Sequence, residues 1–534
     1  MQDSEYVVVG GGTAGCVVAA RLAEGGARVT LLEAGPVDRN MWIHIPAGVM
    51  YLLNNPAVTL SFPTEASPKA DGRSFQWPRG RVLGGSGSIN GMIFVRGSRA
   101  DFDGWAQSGA RGWSFDDVLP FFRSMEHYGG GEDQWRGREG PLSVEDPRFV
   151  LPITRRFIDA AVAAGHKRLT DINHPDAEGV ALAQMNRLGR FRGSTARTFL
   201  KRAQATGRLD VVTGAQVTEL QFDGARCTGV TFSRGGTSQT INAARETILS
   251  AGALQSPHLL QLAGIGDPDH LAGAGIAVRH ALPGVGRNLQ DHYGVRVCVR
   301  IEGARTVNEL SHMPRAAWQA ARFALFGDGA LTTGITAAMV FCRSREGLAS
   351  TDLQLLFSPT SFDQQRFGRL EREPGASMTI CNSRPQSRGT VLARSADPHE
   401  LPQIAPNYLG SSHDMDILKA GIAEARRIFA TEPLAGHVAH ETMPAAGQDL
   451  DDYIRSAGHS IYHPVGTCRI GTDPLAVVDP ELRVHGIGGL RVVDASVMPT
   501  ITSGNTNAPT AMIGEKAAAM ILAGRRDASR DQAA

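Results

Sequence analysis

The apolar positions of this chain open with two short continuous runs, Tyr6-Val7-Val8-Val9 and Val29-Thr30-Leu31-Leu32. Runs of this length, rich in β-branched residues and bounded by glycine, predict buried strands. The stretch between them predicts a helix that ends at Gly25-Gly26, after Glu24. The turn joining first strand to helix reads Gly10-Gly11-Gly12-Thr13-Ala14-Gly15, which sets Gly10, Gly12 and Gly15 on the G-x-G-x-x-G spacing. The first glycine permits a tight turn, the second lets backbone N–H groups approach a pyrophosphate, and the third lets helix and strand pack closely. Glu33 closes the second run, where an acidic side chain accepts the hydroxyl protons of an adenosine ribose and repels a 2′-phosphate. Strand, turn, helix, strand and acid together predict a dinucleotide cofactor, and at this point either NAD or FAD satisfies them.

Beyond this unit, Pro36 to Pro68 mixes aromatic residues, proline and asparagine without a period, as a long loop or lid does. A second glycine-dense segment, Arg79 to Gly91, predicts backbone lying close to a flat or extended ligand. Leu209–Val217, Gly229–Phe232 and Glu246–Ser250 read as strands extending the first sheet. From about Tyr293 to Ser456, β-like runs such as Leu353–Phe357 and helical runs such as Met415–Phe429 predict a second, substrate-facing domain. Leu490–Asp494 then reads as a strand and Pro509–Ala523 as a helix, which returns the chain to the first domain.

With 534 residues the chain exceeds one ordinary core and has room for a deep pocket. A net charge of +1, with no basic run interleaved with aromatics, argues against a nucleic-acid partner. The six cysteines, Cys16, Cys227, Cys298, Cys342, Cys381 and Cys468, are scattered singly, without zinc spacing, and predict reduced thiols and no metal site. The early strand without an apolar leader, and the lack of any long uninterrupted apolar stretch, predict a cytoplasmic protein without a transmembrane segment.

Four separated segments together resemble the glucose-methanol-choline (GMC) family of flavin-dependent oxidoreductases. Gly10–Gly15 with Glu33 resembles its FAD-ADP site, and Arg79–Gly97 (RGRVLGGSGSINGMIFVRG) its first signature. Gly252–Gly266 (GALQSPHLLQLAGIG) resembles the second signature, with Ala263 where serine is usual. Tyr462–Thr467 (YHPVGT), Asp494 and Asn505–Thr510 (NTNAPT) resemble the catalytic C-terminal region, nearest to the choline-dehydrogenase-like alcohol dehydrogenases. The resemblance implies an α/β fold: a Rossmann-like FAD-binding domain with an inserted α+β substrate domain built on an antiparallel sheet. The corresponding division gives 1–42, 72–105, 206–292 and 457–534 to the FAD domain, 43–71 to a lid, and 106–205 and 293–456 to the substrate domain.

The resemblance implies FAD contacts at Gly10, Gly12, Thr13, Ala14, Gly15, Glu33 and Ala34, and along the first signature at Arg81, Gly84, Gly85, Asn90, Gly91, Met92 and Ile93. It implies further contacts at Val217, Tyr462, Asp494, Ala495, Asn505, Thr506 and Pro509. Ile89 stands where some members tether the flavin through histidine, so the FAD is expected to be non-covalent. Leu356 stands where choline-acting members carry histidine, which points to a less polar alcohol than choline. The implied catalytic pair is His463 and Asn507. Imidazole titrates near neutrality and takes the hydroxyl proton while hydride leaves carbon, a contribution of about 10² to 10⁴ in rate; an amide N–H steadies the developing alkoxide. His292 and His459 are read as structural. Oxygen, a quinone or another carrier all remain open as electron acceptor, and the oligomeric state stays open too. The alternative within the family is a non-oxidative or light-driven FAD enzyme, such as a hydroxynitrile lyase or photodecarboxylase; outside it, the alternative is an NAD-dependent dehydrogenase.

Overall fold

A computed structural model describes residues 4–363 and 369–531. The two opening runs become strands Ser4–Val9 and Val29–Glu33, parallel neighbours with Tyr6 opposite Val29 and Val9 opposite Leu32. Leu209–Thr213 extends this sheet beyond Val29–Glu33, in parallel. On the other side of Ser4–Val9 lies the C-terminal part of Thr237–Leu249, followed by Leu490–Val492, both parallel. Every residue of Val29–Glu33 is buried, as a strand covered on both faces requires. The N-terminal part of Thr237–Leu249 turns away and pairs antiparallel with Arg226–Arg234, which pairs in turn with Ala215–Asp223. One long strand therefore belongs both to the parallel layer and to an antiparallel meander. Helix Thr13–Glu24 covers the parallel layer and is itself held to the C-terminal helix Asn507–Asp531 by an ion pair, Arg21 to Glu515 at 2.8 Å.

The second sheet runs in the order Val438–Met443, Tyr293–Ile301, Gly375–Asn382, Leu353–Ser358, Ala338–Cys342, Gly179–Leu182, with every pairing antiparallel. Its alternation is clear on Tyr293–Ile301: Val295, Val297 and Val299 enter the core, whereas Arg296 and Cys298 face a cavity on the opposite side. Helix Ser412–Phe429 packs on the core side through Ile417, Leu418, Ile422 and Ile428. The architecture is thus the expected one, a Rossmann-like domain carrying an inserted domain on an antiparallel sheet.

The structure departs from the sequence reading in detail. Leu209–Val217, read as one run, is two strands broken at Gly214, whose φ is +67°. The lid stretch contains short helices at Met41–His44 and Val49–Leu52 and a strand, Thr59–Pro63, paired with Gln76–Gly80. Trp113, Phe115, Val118, Phe122 and Met125 join the core of the Rossmann-like sheet, and Trp113 donates its indole N–H to the Pro480 carbonyl at 2.8 Å. A division at residue 106 therefore runs through that core. The amphipathic pattern of Phe115–Met125 says which face is buried but not which domain buries it. Among the described residues no helix is long and apolar enough to cross a membrane, and no cluster of side chains is set to hold a metal ion. All six cysteines are unpaired and buried.

Candidate active site

A cavity of about 1050 Å³ extends from the glycine turn to the open face of the antiparallel sheet. Its first end is made of backbone. Gly10 has φ +102°, and a Cβ there would stand 2.5 Å from the Ser250 carbonyl oxygen. A Cβ on Gly15 would stand 1.9 Å from the Gly10 carbonyl oxygen, so this glycine lies behind the wall and lets helix meet strand. Gly12 caps the helix without a side-chain hydrogen bond, the first turn carries no acid, and Thr13 and Ala14 line the cavity. Unpaired N–H groups and the positive end of a helix dipole thus face open space, the chemistry of a pyrophosphate cradle.

Glu33 lines the same end and accepts the N–H groups of Gly11 and Gly35, each at 2.8 Å. Burial raises its pKa to about 7 against the pull of those two donors. A carboxylate offers about four lone-pair sites, so acceptor capacity remains for a ribose. The donor and acceptor set fits the adenosine and pyrophosphate parts of a dinucleotide.

Along the wall, Ala34, Arg81, Gly85, Asn90, Gly91, Met92, Ile93 and Val217 all line the cavity. Gly84 and Pro509 do not; Gly84 shapes the turn before Gly85–Ser88, and Pro509 sits in the first turn of the C-terminal helix. Asn90 accepts hydrogen bonds from the Met92 N–H at 3.0 Å and from the buried Arg192 at 2.7 Å. Asp494 and Ala495 also line the cavity, but Asp494 already accepts from Gly252 N–H, Ser256 Oγ and Ser496 N–H at 2.9, 2.5 and 2.8 Å. It acts as a latch between the Rossmann-like sheet and the helix that starts at Gly252.

At the far end stands His463. Its neighbour Tyr462 has φ +64°, and the Tyr462 carbonyl accepts from Arg79 at 2.7 Å. The His463 N–H is donated to buried Asp291 at 2.6 Å; Asp291 also accepts from Ser460 at 2.5 Å and from Tyr408. The ring is bracketed, with Nε2 3.2 Å from the amide nitrogen of Asn505 and Nδ1 3.0 Å from Nδ1 of His292. Burial, His292 and the Arg79 guanidinium hold the pKa of His463 well below the usual imidazole value, so the ring is neutral and able to take a proton.

Of the two asparagines, it is Asn505 whose carboxamide meets the His463 ring. Asn507 also lines the cavity, but its carboxamide oxygen accepts from Thr13 Oγ at 2.8 Å and so ties the N-termini of two helices together. Thr506, between them, lines the cavity as well. His292, read as structural, touches His463, and His459 lies in the cavity wall. The only local signal for His292 is its place in Asp291-His292, beside a carboxylate that holds the His463 backbone.

Sequence profiles described as GMC oxidoreductase match residues 4–294 and 385–514. An oxygen-dependent choline dehydrogenase of Photobacterium profundum is 38% identical over 97% of this chain and 93% of its own length. An alcohol dehydrogenase [acceptor] of Pseudomonas putida is 37% identical over 97% of this chain and 95% of its own. Among solved structures, a pyridoxine 4-oxidase from Mesorbium loti superposes with TM-score 0.88 at 30% identity, over 97% of this chain and 99% of that one. A formate oxidase from Aspergillus oryzae RIB40 superposes with TM-score 0.92 at 27% identity, over 98% and 99%. With both halves matched in order and the cavity built as above, the chain belongs to the GMC oxidoreductase family of FAD-dependent alcohol oxidoreductases.

Proposed function

We propose that this enzyme oxidises a neutral, largely apolar alcohol to an aldehyde or ketone, with His463 as general base and Asn505 as the amide that steadies the alkoxide. The contact between Asn505 and Nε2 of His463, at 3.2 Å on the cavity wall, carries this reading. In the free site one amide N–H rests on the single lone pair of Nε2; an arriving alcohol replaces that contact, its oxygen accepting the amide N–H while its own O–H turns to Nε2. Nε2 of His463 would take the hydroxyl proton of R₂CH–OH as the carbon loses hydride and R₂C=O forms. FAD, when bound, supplies the two-electron acceptor. Thr13, Ala14 and the backbone of Gly12 would hold its pyrophosphate and Glu33 its ribose. Non-covalent binding is supported by Ile89, an alkyl side chain without a nucleophile on the cavity wall. A cytoplasmic location is supported by the six unpaired cysteines.

The substrate end supports an apolar alcohol: Leu356, Ile335, Ile461 and Met443 line it. Anaerobic mixing of the yellow holoenzyme with a panel of primary, benzylic and polyol alcohols in the dark tests the reading. Bleaching of the flavin band by apolar alcohols supports it, and a panel without bleaching overturns it. Remixing the bleached enzyme with air or with a quinone then identifies the acceptor.

A further inference from the structure

We propose that His292 is the positioning partner of the base: it keeps the proton of His463 on Nδ1, reserves Nε2 for the alcohol, and shares the charge when Nε2 is protonated. The inference rests on the reading of His463 as the base.

His292 is fully buried. Its Nε2 lies 3.3 Å from the Ser383 carbonyl oxygen, which can only accept, so Nε2 carries hydrogen. A neutral imidazole has one N–H, which leaves a lone pair on Nδ1 of His292. The nitrogen facing it at 3.0 Å, Nδ1 of His463, must then be the donor. The rings cross at 84°, so the contact is nitrogen to nitrogen and not a stack.

The other side of the base gives the same answer. Gln354 donates to the carboxamide oxygen of Asn505 at 3.4 Å, which turns the amide nitrogen of Asn505 toward Nε2 of His463. An N–H donor there requires a lone pair on Nε2. One directed chain therefore runs from Gln354 through Asn505, His463 and His292 to Ser383. Burial supports the neutral state of both rings, holding His292 at about 4 and His463 well below its ordinary value. When Nε2 takes the alcohol proton, the hydrogen on Nδ1 shifts toward His292, whose second N–H remains on Ser383. No proton is lost, and one positive charge is spread over two imidazoles.

The test compares His292→Asn with His292→Leu in the FAD-loaded enzyme. The two side chains have nearly the same shape, but only asparagine offers an oxygen near the place of Nδ1. The rate constant of flavin reduction per bound flavin should fall about 10²-fold in His292→Leu, and His292→Asn should recover about tenfold or more of that loss, with KM nearly constant. Equal rates in the two variants, whether both fast or both slow, overturn the proposal and leave the ring a packing role. His463→Ala is measured beside them: reduction at the parental rate in that variant sinks the base reading itself, which separates the two failures. Nitrogen NMR of histidine-labelled protein gives a readout without turnover. The imidazole signals lost in His463→Ala should belong to a ring protonated at Nδ1, and a ring protonated at Nε2 overturns the proposal.

Discussion

Asn505 directs its amide nitrogen at Nε2 of His463 across 3.2 Å. Asn507, two positions later, gives its oxygen to Thr13 instead. Two asparagines in one short segment thus meet different partners, one the ring of His463 and one the junction of two helix N-termini.

Asn505→Ala should therefore lower kcat by about 10²- to 10³-fold, the usual cost of losing one donor to a developing oxyanion, while FAD content stays near parental. Asn507→Ala should do the reverse, releasing FAD on gel filtration with a smaller change in kcat per bound flavin. Steady-state kinetics with absorbance-based flavin counting separates the two. If kcat collapses in Asn507→Ala and survives in Asn505→Ala, the assignment of roles is inverted.

Glu33→Gln should weaken FAD retention. The carboxylate accepts two backbone N–H groups, and a carboxamide presents an NH₂ to one of them. That mismatch loosens the turn and removes a ribose acceptor, at roughly 1–3 kcal/mol for a buried unsatisfied group. Dialysis followed by flavin absorbance should show a larger apo fraction than the parent; equal retention would mean that the turn holds FAD without this side chain.

Much of this was legible in the chain because the Rossmann-like unit is local. A continuous apolar run, a glycine turn and an acid at fixed spacing determine strand, turn and the buried carboxylate at the strand tip within Tyr6–Glu33. The position of His463 was legible from its YHPVGT context. What the local sequence does not encode is orientation. Asn505 and Asn507 are two residues apart at a helix start, and which carboxamide faces the base depends on Gln354 and Thr13, far away in sequence. His292 likewise earns its place only when the second sheet brings Tyr293–Ile301 against His459–Ser460. The packing of Phe115–Met125 on the Rossmann-like core is a tertiary choice of the same kind.

Four imidazoles make stability depend on pH. Burial lowers the pKa of His258 and His292 to about 4, of His459 to about 3, and of His463 well below its ordinary value. Below pH 6.5 the unfolded chain binds protons at these sites while the folded one does not. Their contribution is therefore full above pH 6.5 and is lost on acidification toward 4, by about 1 kcal/mol per pH unit per group. Glu33, held at about 7, opposes them between pH 7 and 4.5, and Asp291 and Asp494, also raised by burial, act in the same sense as Glu33 at lower pH. Just below pH 6.5 the imidazoles prevail. Thermal melts of the holoenzyme should show Tm falling from pH 7 to 5; a Tm rising over that range would mean the buried rings are charged in the folded state.

Choline should be a poor substrate for an electrostatic reason as well as an apolar one. Arg296, Thr379 and Leu356 lie opposite one another on adjacent strands, and all three line the cavity. The Nε of Arg296 is buried without a partner, and the guanidinium lies over the Phe362 ring at 5.1 Å. A quaternary ammonium brought about 10 Å from that charge is repelled by on the order of 1–2 kcal/mol at an effective dielectric of about 20. The cleanest comparison is choline against its neutral carbon isostere, in which a tert-butyl group replaces trimethylammonium. The isostere should show kcat/KM about tenfold higher in the parent, and Arg296→Met should bring the two within about threefold. Should choline win in the parent, the Arg296 guanidinium does not set the field that the substrate meets, and the electrostatic argument fails.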